Sequence, residues 1–91
     1  MKIVIVGAGE VGFHIASRLA QENKDVVVID FDPEALKRLS ESLDVQTITG
    51  SGSSPAILEE AGIREAEIIL AVTDSDEVNL VACLGARARC T

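Results

Sequence analysis

A chain of 91 residues, 47% of them hydrophobic and 25% charged, has room for one short folded unit. At this size folding hides about 60–65% of the surface that the unfolded chain exposes. Its net charge of −7 argues against a partner held by bulk attraction to a phosphate backbone, and Phe13 and Phe31 are too few aromatics for the stacking platforms of single-strand binding. Phosphate bound locally, by backbone N–H groups, stays open to an acidic chain.

Lys2 to Val6 is a β-branched apolar run, the pattern of a central parallel strand buried on both faces. It is too short to span a membrane and has no signal-peptide cleavage pattern, so a cytoplasmic chain without direct membrane insertion is expected. The run breaks at Gly7-Ala8-Gly9-Glu10-Val11-Gly12. Val11, Ile15, Ala16 and Leu19 then recur at helical spacing and predict an amphipathic helix reaching Glu22. Asp25 to Asp30, through Val26-Val27-Val28-Ile29, predicts a second buried strand. Asp32 as N-cap and Pro33 at the first helical position open the next helix, which Leu36, Leu39 and Leu43 continue.

Val45 to Thr49 predicts a third strand, ended by Gly50-Ser51-Gly52. Ser54-Pro55 starts a short helix through Ala61 that Gly62 closes, and Ala66 to Val72 predicts a fourth strand. Polar Thr73-Asp74-Ser75-Asp76 caps a last helix carrying Val78, Leu80, Val81, Leu84 and Ala88. The order βαβαβαβα with right-handed crossovers predicts an α/β, Rossmann-like parallel sheet, order 3-2-1-4, flanked by helices. Strands 5 and 6 of a full doubly wound unit have no counterpart, so a unit truncated before them is expected. Strand 4 is then an apolar edge that invites another chain, which predicts an oligomer. Cys83 and Cys90 lie two helical turns apart, about 10 Å, beyond disulfide reach. They are expected to be small, buried or half-buried apolar residues.

Gly7, Gly9 and Gly12 spell G-x-G-x-x-G between a strand and a helix. Gly7 permits the tight turn, Gly9 lets a pyrophosphate approach the backbone, and Gly12 lets the helix pack closely on the strand. The helix N-terminus then offers unpaired N–H groups and the positive end of its dipole. Asp30, about 20 residues further on, stands at the carboxyl end of strand two, where an acid accepts hydrogen bonds from ribose hydroxyls. A 2′-phosphate would meet a like charge there, which disfavours NADP(H). Ser51, Gly52 and Ser53 either flank an adenine ring or merely turn the chain. Ala71, Val72 and Thr73 end strand four on the same edge and leave room for adenine or a second ribose.

Asp74, Asp76 and Glu77 read as solvated cap chemistry, Arg87 and Arg89 as helix C-terminal charges, and His14 as a surface or packing residue beside Arg18 on the first helix. No Ser/His/Asp or Cys/His pair, Tyr-x-x-x-Lys motif or clustered metal-ligand set is present, so no catalytic or metal-binding residue is assigned.

Gly7-Ala8-Gly9-Glu10-Val11-Gly12, Val27-Val28-Ile29-Asp30-Phe31-Asp32-Pro33-Glu34, Ala61-Gly62-Ile63 and Ala71-Val72-Thr73-Asp74-Ser75-Asp76-Glu77-Val78-Asn79-Leu80 together resemble the N-terminal nucleotide-binding domains of the TrkA family, also called KTN or RCK domains. The resemblance runs through nearly the whole chain. It implies a regulatory domain at the inner face of the cell membrane that binds NAD(H), or ATP, ADP or AMP. Such a domain assembles as a dimer or higher homo-oligomer and gates an attached potassium transporter or channel subunit. The family usually shows Gly-Asp-Ala-Thr after strand three, where this chain has Gly50-Ser51-Gly52-Ser53, so the acid that would meet the adenine amino group is replaced by Ser51. Motif and resemblance together give a candidate site of Gly7, Gly9, Glu10, Val11 and Gly12 from the loop, Asp30 and Phe31 from strand two, Ser51 after strand three, and Ala71, Val72 and Thr73 at strand four. The alternatives are the cofactor domain of an NAD-dependent oxidoreductase and a scaffold without ligand.

Overall fold

The computed structural model describes residues 1–75, 78–79 and 82–84. Its elements are β1 (Lys2–Val6), α1 (Glu10–Gln21), β2 (Asp25–Asp30), α2 (Pro33–Ser42), β3 (Gln46–Thr49), α3 (Pro55–Glu60), a 3-10 turn (Ile63–Glu65) and β4 (Ile68–Ala71). Residues 78–79 and 82–84 are also helical. All pairings are parallel and the strand order is β3-β2-β1-β4, the Rossmann-like arrangement that the alternation of elements predicts.

Strand periodicity divides the core. Ile3 and Ile5 of β1 with Val26 and Val28 of β2 face one layer, where Ala16, Ala35, Leu36 and Leu39 of α1 and α2 cover them. Val4, Val6, Val27 and Ile29 face the other, under Leu58, Ala61, Ile63 and Ala82. A strand covered on both sides has no polar position to spare, which is why both central strands are continuous apolar runs. The register sets Val6 beside Ile29 and Ala71, and Asp30 beside Thr49. All four strands therefore end along one carboxyl edge, on which any site of this fold is built.

Helix starts follow local chemistry. Asp32 caps α2 as expected, its Oδ1 accepting from Glu34 N at 3.0 Å, with Pro33 in the first turn. Ser54 occupies the N-cap position of α3 but, unlike Asp32, makes no side-chain capping bond; its carbonyl accepts the first helical bond from Leu58 N at 3.1 Å, as any N-cap carbonyl does. Gly62 adopts the left-handed conformation at φ 80° and closes α3. The 3-10 turn that follows is not foreseen in the sequence. It turns Ile63 back into the core beneath β1 and β4.

Three expectations are corrected. Val11 does not join the buried face of α1; it is 58% exposed, because Gly12 and Ala16 take the inward positions. Cys83 is exposed, not buried or half-buried, since its neighbour Ala82 points into the core and the next residue turns about 100° away. Strand four spans Ile68–Ala71, not Ala66 to Val72, although Glu67 N and Val72 N still bond to the Lys2 and Val6 carbonyls on β1. Leu80, Val81, Ala88, Asp76, Glu77, Arg87, Arg89 and Cys90 lie outside the described residues.

Leu39 is fully buried between α2 and the sheet. Leu39→Ala is expected to cost about 2–5 kcal/mol, read as a lower urea midpoint at unchanged slope. Lys37→Ala, on the exposed side of the same helix, is expected to stay within about 0.5 kcal/mol of the parent.

Candidate functional site

The glycine loop joins β1 to α1, and its three glycines stand under different constraints. Gly7 has φ 120°, and a Cβ on it would lie 3.0 Å from the Val72 carbonyl oxygen, so both backbone and space exclude a side chain. A Cβ on Gly12 would collide with the Gly7 carbonyl oxygen, so α1 packs on the end of β1 at backbone distance. Gly9 differs. As N-cap of α1 its φ is −74°, open to any residue, and nothing in the protein lies within 4 Å of its Cβ position. The fold has no need of a glycine there, and the vacated space opens onto a cleft.

That cleft, of about 430 Å³, lies over the carboxyl edge of the sheet. Asp30 joins its parts. Its Oδ2 accepts from Ala8 N in the glycine loop at 2.7 Å, and its Oδ1 accepts from Asp32 N at 2.8 Å. Each carboxylate oxygen keeps a further lone pair, so the side chain locks the loop and can still accept from hydroxyl groups in the cleft. The first hydrogen bond at the head of α1 is Phe13 N to the Gly9 carbonyl at 2.8 Å. The N–H groups of Glu10, Val11 and Gly12 precede it and belong to the helix end that has no intrahelical partner.

Gly7, Gly9, Asp30, Phe31, Ser51, Val72 and Thr73 line this cleft together. Phe31 stands at its mouth with 79% of its surface exposed. Ser51 also turns the chain: its hydroxyl accepts from Ser53 N at 3.1 Å, and its carbonyl from Ser54 N at 3.1 Å. Four candidates lie elsewhere. Glu10 lines a second cleft, between α1 and α2, and Val11 lies exposed on the first turn of α1. Gly12 is buried against the loop, and Ala71 packs against the core below the cleft floor. His14 is exposed, its ring edge-on to Phe13 at 6.2 Å, and Arg18 pairs with Glu22 at 3.6 Å on the same helix.

The cleft also has residues to which the sequence assigns other roles, such as caps, or none. Asp32 and Asp74 add to its acidic lining, and Arg38 is the one cationic residue that lines it among those described. Arg38 borders both clefts, and it forms no ion pair with a described residue, although Glu34 and Glu41 stand one turn away on its own helix. Its place three residues after the buried Ala35 is the signal that gives it away, because that spacing puts both on one helical face. Val78 and Ser75 complete the β4 side.

The TrkA-N domain model matches residues 3–91. A Trk system potassium uptake protein TrkA from Halomonas elongata is 47% identical over 83 residues, which is 91% of this chain and 18% of that protein. A Trk system potassium uptake protein trkA homolog 1 from Methanosarcina mazei is 53% identical over 87 residues, 96% of this chain and 21% of that one. The chain thus spans about a fifth of the length of these relatives. Among solved structures, the Shewanella denitrificans Kef CTD in AMP bound form superposes with a TM-score of 0.81 at 19% identity, over 97% of this chain and 52% of that one. At that identity the likeness is one of fold.

The loop geometry separates two substitutions. Gly12→Ala forces α1 off the Gly7 carbonyl and is expected to cost about 1–3 kcal/mol or more. Gly9→Ser places a good N-cap residue in open space and is expected to leave stability within about 0.5 kcal/mol. Thermal and urea unfolding of both variants check the contrast.

Proposed function

The chain belongs to the TrkA-N domain family, and on that footing we propose that residues 1–91 are the nucleotide-holding part of a regulator of potassium uptake or potassium channels, not an enzyme. The ligand is NAD(H) or an adenine nucleotide: ATP, ADP or AMP. The observation that carries the reading is Gly9, a glycine that the protein's own packing does not require, opening on the cleft beside Asp30. A ligand whose phosphates must reach the backbone supplies the missing reason.

In this reading the free N–H groups at the head of α1 and the positive end of its dipole hold the phosphates. Asp30 accepts from the ribose hydroxyls, with Phe31 and Ser51 on either side of the base. Val72 and Thr73 face whatever extends past the phosphates toward β4. A phosphate on the ribose 2′ position would sit against Asp30, so NADPH binds weakly. The names of the relatives support potassium uptake as the setting, with a membrane transporter or channel subunit as partner, a homo-oligomer of these domains, and a place at the cytoplasmic face. Among the described residues no helix is long and apolar enough to cross a membrane. Regulation requires that the ligand bind one state of the assembly more tightly than the other; a tenfold preference shifts the balance by about 1.4 kcal/mol.

Calorimetric titration with NADH, NAD⁺, NADPH, ATP, ADP and AMP tests the reading. Saturable binding of NADH or an adenine nucleotide is expected, weakened at least about tenfold in Asp30→Ala by loss of charge-assisted hydrogen bonds and also lost in Gly9→Ser. Binding by none of them, or binding as tight in Asp30→Ala and Gly9→Ser as in the parent, overturns the nucleotide site. Hydride transfer by the protein would overturn the regulatory reading in favour of an oxidoreductase.

A further inference from the structure

Two sets of hydrogen bonds hold the turn after β4: Thr73 Oγ1 accepts from Ser75 N at 3.1 Å and lies 3.0 Å from the Ser75 carbonyl, and the Asn79 carboxamide spans the Thr73 backbone. Asn79 Oδ1 accepts from Thr73 N at 2.9 Å and from Thr73 Oγ1 at 2.6 Å, and Asn79 Nδ2 donates to the Thr73 carbonyl at 3.0 Å. Every polar atom of Thr73 is engaged by that one side chain. The pattern also fixes the amide's orientation, because a backbone N–H must meet its oxygen and a carbonyl its nitrogen. Asn79 is itself set by Ser75, whose carbonyl accepts from Asn79 N at 3.0 Å and whose hydroxyl accepts from Val78 N at 3.2 Å.

The far side of the same turn abuts the glycine loop. Thr73 N lies 3.1 Å from the position a Cβ would take on Gly7, and Val72 N donates to the Val6 carbonyl at 2.8 Å. Thr73 is thus pressed between Asn79 and the loop and lines the cleft from the β4 side. Asp30 and Ser51 line it from the β2–β3 side, across β1 in the strand order.

We propose that Asn79 is a positioning residue that fixes the β4 wall of the cleft through Thr73 and so selects for ligands that extend beyond their phosphates. This rests on the nucleotide reading of the cleft. A mononucleotide anchored at Asp30 ends at the glycine loop and leaves the β4 wall untouched. A dinucleotide crosses the loop at the point where the strand order reverses and lies against Thr73. Losing Asn79 therefore falls on the second half of a dinucleotide. A general loosening of the fold would weaken both ligands alike.

The test compares wild type, Asn79→Ala and Asn79→Asp, with NADH and AMP titrated by calorimetry and amide hydrogen exchange at Thr73 followed without ligand. In Asn79→Ala, NADH is expected to weaken about tenfold or more, AMP less than about twofold, and the Thr73 amide to exchange faster. Asn79→Asp keeps an acceptor for Thr73 N and is expected to restore much of that protection and part of the NADH affinity. Equal losses for NADH and AMP, or no loss for either, overturn the proposal, as does unchanged exchange at Thr73. Failure of wild type to bind NADH overturns this role, and failure to bind any of the six nucleotides titrated above overturns the nucleotide reading with it. The exchange data then still show separately whether Asn79 holds the turn.

Discussion

Contact between Gly12 and the Gly7 carbonyl brings the first turn of α1 down onto the end of β1, and the rest of the site is arranged around it. A side chain at either position would lift the helix, move its free N–H groups away from the sheet edge and open the loop. With the helix seated, Ala8 N comes within 2.7 Å of Asp30 on the neighbouring strand. That bond joins the glycine loop to the acid at the end of β2, the two parts to which the proposed site assigns phosphate and ribose. Asp30 thus has a part in the fold itself, and a ligand that met it there would require little further ordering of the cleft.

A phosphate site proposed on a chain of net charge −7 looks paradoxical only at long range. Exposed charges more than about 8–10 Å from the ligand are screened at physiological ionic strength. What acts at the cleft is close by: the head of α1, the carboxylates of Asp30, Asp32 and Asp74, and Arg38. This balance suits a ligand that combines phosphate with neutral hydroxyls and a base. It does not suit one that adds a further anion beside Asp30. Arg38 is unpaired among the described residues and borders both clefts, so it offers the lone cationic contact from α2.

Much of the scaffold was legible in the sequence because each signal had one physical cause. β1 and β2 are buried on both faces, so their apolar runs mark both ends, and Asp32-Pro33 announces α2 through its cap and fixed φ. Gly7 and Gly12 were legible for the same reason, since only one contact explains each. Val11 and Cys83 were misread because spacing defines a helical stripe but not which neighbour takes the tightest inward position; small residues, Gly12 and Ala82, took it. The 3-10 turn at Ile63 depends on where β4 lies beneath it, a tertiary fact. Arg38 and Asn79 went unnoticed for a related reason. Arg38 gains its meaning from the glycine loop that folding brings close, and Asn79, although it lies in the Ala71–Leu80 stretch only six residues from Thr73, from a turn that bends its side chain back onto that residue.

Amide-resolved NMR of the protein titrated with AMP tests the central claim most directly, because it locates the ligand as well as detecting it. The account predicts saturable shifts at Gly7, Ala8, Gly9, Phe31 and Ser51 along the carboxyl edge, with Lys2, Asp25 and Ile68 at the opposite edge unmoved. Shifts confined to that opposite edge, or none with AMP and none when ADP, ATP, NAD⁺ and NADH are titrated in its place, would contradict it.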